Sequence, residues 1–223
     1  MPEGGSAALI NEQAFIYEGV VVVVGRPRGV EDAVILRAAT EVLGRVGPSG
    51  LTLAAVAREV GLVPGTLVQR FGSKRGLILA LADQSVKDAD ALPDRVRGEH
   101  EAALGALAAL MTEWTAPLDA PETFANHLAA LCADLTDPEL HARALDVHRA
   151  QRRAIERLLT EAAAGGELRA GADVASLAAT VQAVAAGAGL NWALDRRGTL
   201  AERVRSELDA VLGPHTAAGG RNA

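Results

Sequence analysis

Residues 51–77 read LTLAAVAREVGLVPGTLVQRFGSKRGL, and the punctuation of that stretch decides the fold. Thr52 offers an oxygen to the free N–H groups that begin a helix, and Leu51 and Val56 are spaced to close over that cap as a hydrophobic staple. Leu53, Val56, Ala57 and Val60 form a buried stripe at helical spacing. Gly61 suits the left-handed conformation of a tight turn. Pro64 suits the first position of a second helix. At about 100° per residue, Leu67 and Phe71 of that helix share an inward face. Gly65 and Gln69 point most directly away, flanked by Thr66 and Val68. Ser73 caps a further helix, expected to run to about Ala91. A helix, a glycine turn and a second helix with an outward polar face is the unit that lays its second helix in the major groove of DNA.

The outward face has chemistry to match. Gly65 lets backbone approach a duplex, Gln69 can read an adenine edge, and Thr66 can bond a base or a phosphate. Lys74 and Arg75 stand in the first turn of the next helix, where the helix dipole disfavours cations. An anion shared between them and the free N–H groups would resolve that conflict, and a DNA phosphate is such an anion; a solvated basic loop is the plainer reading. Upstream, Gly25-Arg26-Pro27-Arg28-Gly29 is either a basic linker or an arm for the narrow minor groove. The candidate DNA contacts are therefore Arg26, Arg28, Thr52, Pro64, Gly65, Thr66, Val68, Gln69, Arg70 and Lys74. The chain carries a net charge of −6. Residues 26–76 nevertheless hold eight basic side chains against four acidic ones, so a basic head sits on an acidic remainder, as expected if only the head meets phosphate.

On these residues the chain resembles the TetR/AcrR family of transcriptional regulators. The resemblance covers residues 35–79: the helix before the motif, the TLAAVAREVG helix and turn, and the GTLVQRFGSKRGL recognition helix with its following lysine. It implies that Phe71 packs the head and that Lys74 contacts phosphate. It implies an all-α fold, a three-helix helix-turn-helix head on a helical ligand-binding and dimerisation body. Two positions depart from the family. Val68 stands where a phosphate-binding tyrosine is usual, and Val63 where serine is common, so the usual cap is missing. Either the operator contacts differ, or Gln69 and Arg70 take a larger share of them.

Around the motif the chain divides into an N-terminal tail (1–25), the head (26–76), the body (77–214) and a disordered C-terminal tail (215–223). The valines from Val20 to Val24 read as part of a flexible tail or, alternatively, as a short strand with an aggregation-prone edge. Ile35, Ala38, Ala39, Val42, Leu43 and Val46 make the first helix of the head, stopped at Gly47-Pro48. In the body Pro93, Pro117, Pro121 and Pro138 read as breaks between helices. Asp137, Asp173 and the Thr199/Glu202 capping box read as starts. Leu200, Val204, Leu208, Val211 and Leu212 form the stripe of the last helix. Aromatics are only 3% of an otherwise apolar chain, which favours alanine–leucine helix packing. No apolar run approaches the ~18 residues of a membrane helix, so no membrane partner is expected. One cysteine, Cys132, excludes an internal disulfide and fits the cytoplasm.

For the body, Met111, Trp114, Phe124, His127, Leu131, Gln151 and Asn191 are the candidates for a ligand site, apolar walls with a few polar groups; ordinary core packing is the alternative for each. The unknown ligand is expected to be small and apolar or amphipathic. His141 and His148 lie two turns apart, but no tight ligand pair occurs, and no metal or cofactor is expected. Neither a nucleophile elbow nor a phosphate loop is present, so no catalytic residue is assigned and the chain is not read as an enzyme. The small residues from Ala178 to Gly189, with the last helix, are expected to pair two chains through Leu208 and Leu212. The reading is a homodimeric repressor released from a palindromic double-stranded operator by a ligand. Two rivals are a ligand-independent DNA-binding regulator and a helical enzyme or binding protein with a degenerate head.

Overall fold

The computed structural model describes residues 30–217, and the backbone of Ala14–Tyr17 and Val20–Val23. Those two segments are strands, β1 and β2, paired antiparallel with Phe15 opposite Val22. Val20–Val23 of the valine run is thus a paired strand. Residues 1–13, 18–19 and 24–29, Arg26 and Arg28 among them, lie outside the described residues.

The head is α1 (Asp32–Gly50), α2 (Leu53–Glu59), α3 (Pro64–Phe71) and the start of α4 (Lys74–Gly98). α1 breaks where Gly47 and Pro48 predict: Gly47 adopts φ 73°, ψ 176° and kinks the backbone before one last turn. Thr52 Oγ1 accepts from Ala55 N at 3.0 Å, and Leu51 and Val56 are both buried beside it, completing the cap and staple. Gly61 makes the inter-helix turn at φ 67°, a conformation that costs an L side chain ~1–2 kcal/mol. Ile35, Val42, Val56, Leu67 and Leu77 close the head's own small core, with Phe71 packed at its edge.

The body is the rest of α4 with α5 (Ala103–Thr115), α6 (Pro121–Asp134), α7 (Pro138–Ala164), α8 (Val174–Asp195) and α9 (Leu200–Leu212). Asp137, Asp173 and Thr199 cap α7, α8 and α9, the last as a full capping box. Pro93 does not end α4 as its type predicts. It lies buried inside the helix, which continues to Gly98. An internal proline costs ~3 kcal/mol; burial of Ala89, Pro93 and Val96 against the body offsets that cost. Nor does the C-terminal segment fall away at His215. Residues 213–215 form a 3-10 turn, His215 O accepts from Arg169 N at 2.8 Å, and Ala217 N donates to Glu167 O at 2.9 Å. Residues 218–223 lie outside the described residues.

α4 and α7 run side by side in the same direction, because the residues they pair stay 60–64 apart in sequence along their whole length. Arg75 meets Asp137 and Glu139, Asp83 meets Arg143, Asp90 meets Arg153, Asp94 meets Arg157, and Arg97 meets Glu161. α4 therefore enters the body from the head as a rod bracketed by charge.

α8 corrects one reading. At 22 residues and a mean hydropathy of 1.3 it is long and apolar enough to cross a membrane by length and composition. Its inner side is accounted for by the core, where Leu177, Val181 and Trp192 are buried. Gly189 is packed under Phe124 of α6, so closely that a Cβ would come within 2.5 Å of the ring.

Candidate nucleic-acid interface and the cleft behind it

α3 turns the expected face outward. Leu67 is fully buried and fixes the helix's rotation; Val63, Pro64, Gly65, Val68 and Gln69 are all exposed. Val63 caps α3 without a side-chain hydrogen bond, as its departure from serine implies. Nothing lies within 4 Å of a Cβ built on Gly65, so that stretch of backbone is open to a ligand. Thr66 is half-buried at the edge of this face, while the Thr52 hydroxyl is committed to its cap.

The basic residues divide differently from the sequence reading. Arg70 turns back on the head: its guanidinium donates to Val30 O and, at 2.9 Å, to Asp32 Oδ1. It ties the recognition helix to the start of α1 and points less outward than helical spacing implies. Lys74 Nζ donates to Pro48 O at 2.6 Å, a half-buried tie to the end of α1 that leaves two of its three donor hydrogens. Arg75 does resolve the clash with the helix dipole through an anion, but an internal one. It pairs with Asp137, the cap of α7, and with Glu139. The hydrogen bond from Arg75 is the largest of the causes that hold the Asp137 carboxyl down to about 2. The sequence reading assigned Arg75 a DNA phosphate and Asp137 a cap; the two stand 62 residues apart, and nothing in one sequence joins them.

The candidate ligand residues scatter. Met111 is buried in the body core, Trp114 and Phe124 pack at its edge, and Gln151 is half-buried. Leu131 and Asn191 are exposed. The void beside Met111, Val181 and Leu208 has no room for a water molecule. A cleft of about 760 Å³ opens instead between head and body, walled by α1, α4, and α6 with the loop before it. Of the seven candidates only His127 lines it. There α6 is bolted to the head: Asn126 Nδ2 donates to Gly44 O at 2.8 Å, and a Cβ on Gly44 would stand 2.9 Å from Thr123 Cγ2. Burial pushes the His127 imidazole below its ordinary value, so it is neutral at pH 7. Among the described residues, no three His, Cys, Asp or Glu side chains converge as a metal site would need.

The last helix corrects the dimer reading. Leu208 and Leu212 are buried in their own chain's core. What lies open is the other side of α8, where Ala183, Ala186, Gly187, Leu190 and Leu194 follow one another at helical spacing, with Asn191 beside them.

Comparison with known proteins agrees with the all-helical fold. Residues 35–81 match the model of the bacterial regulatory proteins of the tetR family, and residues 103–208 match the tetracyclin repressor-like C-terminal domain. No curated protein matches the chain. Among solved structures it is similar to SmeT, the repressor of the Stenotrophomonas maltophilia multidrug efflux pump SmeDEF. That match has a TM-score of 0.62 and 20% identity over 86% of this chain and 93% of that one. A transcriptional regulator from Saccharomonospora viridis in complex with choline gives 0.63 and 21% over 81% and 94%. The fatty acid degradation regulator FadR from Bacillus halodurans gives 0.60 and 19% over 82% and 98%.

Proposed function

Because the chain belongs to the TetR family of bacterial regulatory proteins, and so is a DNA-binding transcriptional regulator, we propose that it acts in the cytoplasm as a homodimeric repressor that a small molecule releases from a near-palindromic operator. One observation carries the DNA contact: burial of Leu67 leaves Pro64, Gly65, Val68 and Gln69 as the exposed ridge of α3. On that ridge Gln69 reads an adenine and Val68 makes apolar contact with a thymine methyl. Thr66, Lys74 and the Arg26–Arg28 arm bind the backbone and adjacent groove, while Thr52 and Arg70 hold the helices that present them.

The exposed apolar side of α8 supports the dimer. To read successive major grooves the dimer must hold its two α3 helices about 34–36 Å apart, one turn of the duplex. A ligand that prefers another head spacing must lower DNA affinity, and DNA must lower ligand affinity by the same factor. FadR from Bacillus subtilis was solved with stearoyl-CoA and the Saccharomonospora viridis regulator with choline, which supports reading this fold as a ligand sensor. The test is fluorescence anisotropy on DNA flanking the chain's own gene. Salt-dependent binding that prefers one half-site sequence, with the preference relaxed in Gln69→Ala, supports the reading; binding without sequence preference refutes it.

A further inference from the structure

We propose that Asn126 of α6 is a positioning residue for DNA recognition: seated on Gly44 and Gly47 of α1, it fixes the angle of the head on the body and so the spacing of half-sites that the dimer accepts. This rests on the reading of the chain as a dimer on two half-sites, and names the residue that sets the distance between them.

Pro48 creates the need that Asn126 meets. It stands four residues after Gly44 and has no N–H, so the ordinary helical donor to Gly44 O is missing. Gly44 is buried, and a buried carbonyl without a donor is costly. The donor comes from the body instead: Asn126 Nδ2 reaches Gly44 O at 2.8 Å. The approach is possible because both contact positions on α1 are glycine. A Cβ on Gly44 would stand 2.9 Å from Thr123 Cγ2 and 3.1 Å from His127 Nε2. One on Gly47 would stand 2.8 Å from Asn126 Oδ1. A side chain at either position would hold α6 off α1.

The place of this contact gives its consequence. α6 has no fully buried residue, and it packs more widely on α1 of the head than on α7 or α8 of the body. α4 is the covalent link from head to body, and one attachment fixes a position without fixing an angle. The seat of α6 on α1 is the second attachment. The same turn of α1 reaches the DNA side, where Pro48 O accepts from Lys74 Nζ at 2.6 Å. Asn126 and Lys74 thus grip carbonyls at the two ends of one turn. A dimer whose heads swing holds the correct spacing for only a fraction of the time. Its apparent affinity for paired half-sites falls by that fraction. A lone half-site is read by one head, so its affinity does not change.

The test is selection of duplexes from a random library by the full-length protein, read both as half-site sequence and as spacing. Fluorescence anisotropy then compares the selected duplex with a duplex holding one half-site. The wild type should enrich two half-sites at one spacing. Asn126→Ala should enrich the same half-site over several spacings. It should bind the paired duplex about tenfold more weakly and the single half-site within about twofold of wild type. Asn126→Asp keeps the shape but sets an acceptor against Gly44 O, so it should fail in the same way; a space-filling role would survive it. Gly44→Ala gives an independent reading if these do not fold. Alanine favours a helix over glycine, yet here it pushes α6 off its seat, so the spacing preference should be lost although α1 is intact by circular dichroism. A folded variant that keeps the wild-type spacing, a folded variant that also loses the single half-site, or a wild type with no preferred spacing overturns the proposal. Failure of the regulator reading shows separately, as a wild type that enriches no sequence.

Discussion

Replacing Leu190 and Leu194 by aspartate should separate the dimer and leave each chain folded. Leu194 is 75% exposed and Leu190 48% exposed in the single chain. A fully buried leucine contributes ~1.5–3 kcal/mol. Covering the exposed fractions of both is then worth about 2–4 kcal/mol per chain, and about 4–8 per two-fold dimer. That weakens the dimer roughly a thousand- to a million-fold, before the repulsion of four new carboxylates is added. Sedimentation equilibrium at micromolar concentration reads the change, and thermal unfolding by circular dichroism checks that the monomer is folded. Leu208→Asp is the contrast. Its side chain is buried among Met111, Val181 and Val204 in its own chain, so that change should unfold the body and yield no folded monomer. A Leu190/Leu194 variant still dimeric at one micromolar, or a folded Leu208→Asp monomer, would refute the reasoning.

Three further outcomes follow from the geometry. Leu67→Ala should cost ~2–5 kcal/mol in the small head core and abolish DNA binding while the dimer persists in sedimentation; loss of the dimer as well would mean that head and body do not fold separately. Lys74→Met should weaken specific and non-specific DNA alike and lower the salt slope by about one, as the proposed role of Lys74 at one phosphate requires; an unchanged slope would confine Lys74 to its bond with Pro48. Acid should free the first turn of α4 from α7: Asp137 is held near 2, below its ordinary 3.8, so its contribution is complete above about pH 4 and is lost as pH falls through about 2. Amide exchange in that turn should quicken across this window in the native protein and show no such step in Asp137→Asn.

The head was legible because each of its signals is local. Thr52, Gly61, Pro64 and Ser73 act on backbone within four residues, and Leu67 and Phe71 set the rotation of α3 by spacing alone. The body was less so. Periodicity marks Leu208 and Leu212 as inward, but not whether inward means their own chain or a partner. It marks Met111 and Trp114 as apolar, but not that they pack solid while the open space lies against α1. Pro93 carries the local signal of a stop; what overrides it is burial against elements far away in sequence. Arg70 and Arg75 were free cations by type and spacing, and their partners, 38 and 62 residues distant, belong to the assembled molecule only.

The paired charges of α4 and α7 act as a detent. Each exposed pair is worth only ~0–1 kcal/mol, so their sum says little about stability. Their order says more about sliding. If α4 moved one helical turn toward the C-terminal end of α7, Arg75 would come opposite Arg143 and Asp94 opposite Glu161. One turn the other way would bring Asp83 opposite Glu139 and Arg97 opposite Arg157. Each neighbouring stop thus sets two like-charge pairs face to face, against one new opposite-charge pair (Asp90 with Arg157) in the first direction and two (Asp90 with Arg149, Asp94 with Arg153) in the second. Sliding by a turn therefore gives up every present pair for at most two new ones, so the observed register is the best matched on this track.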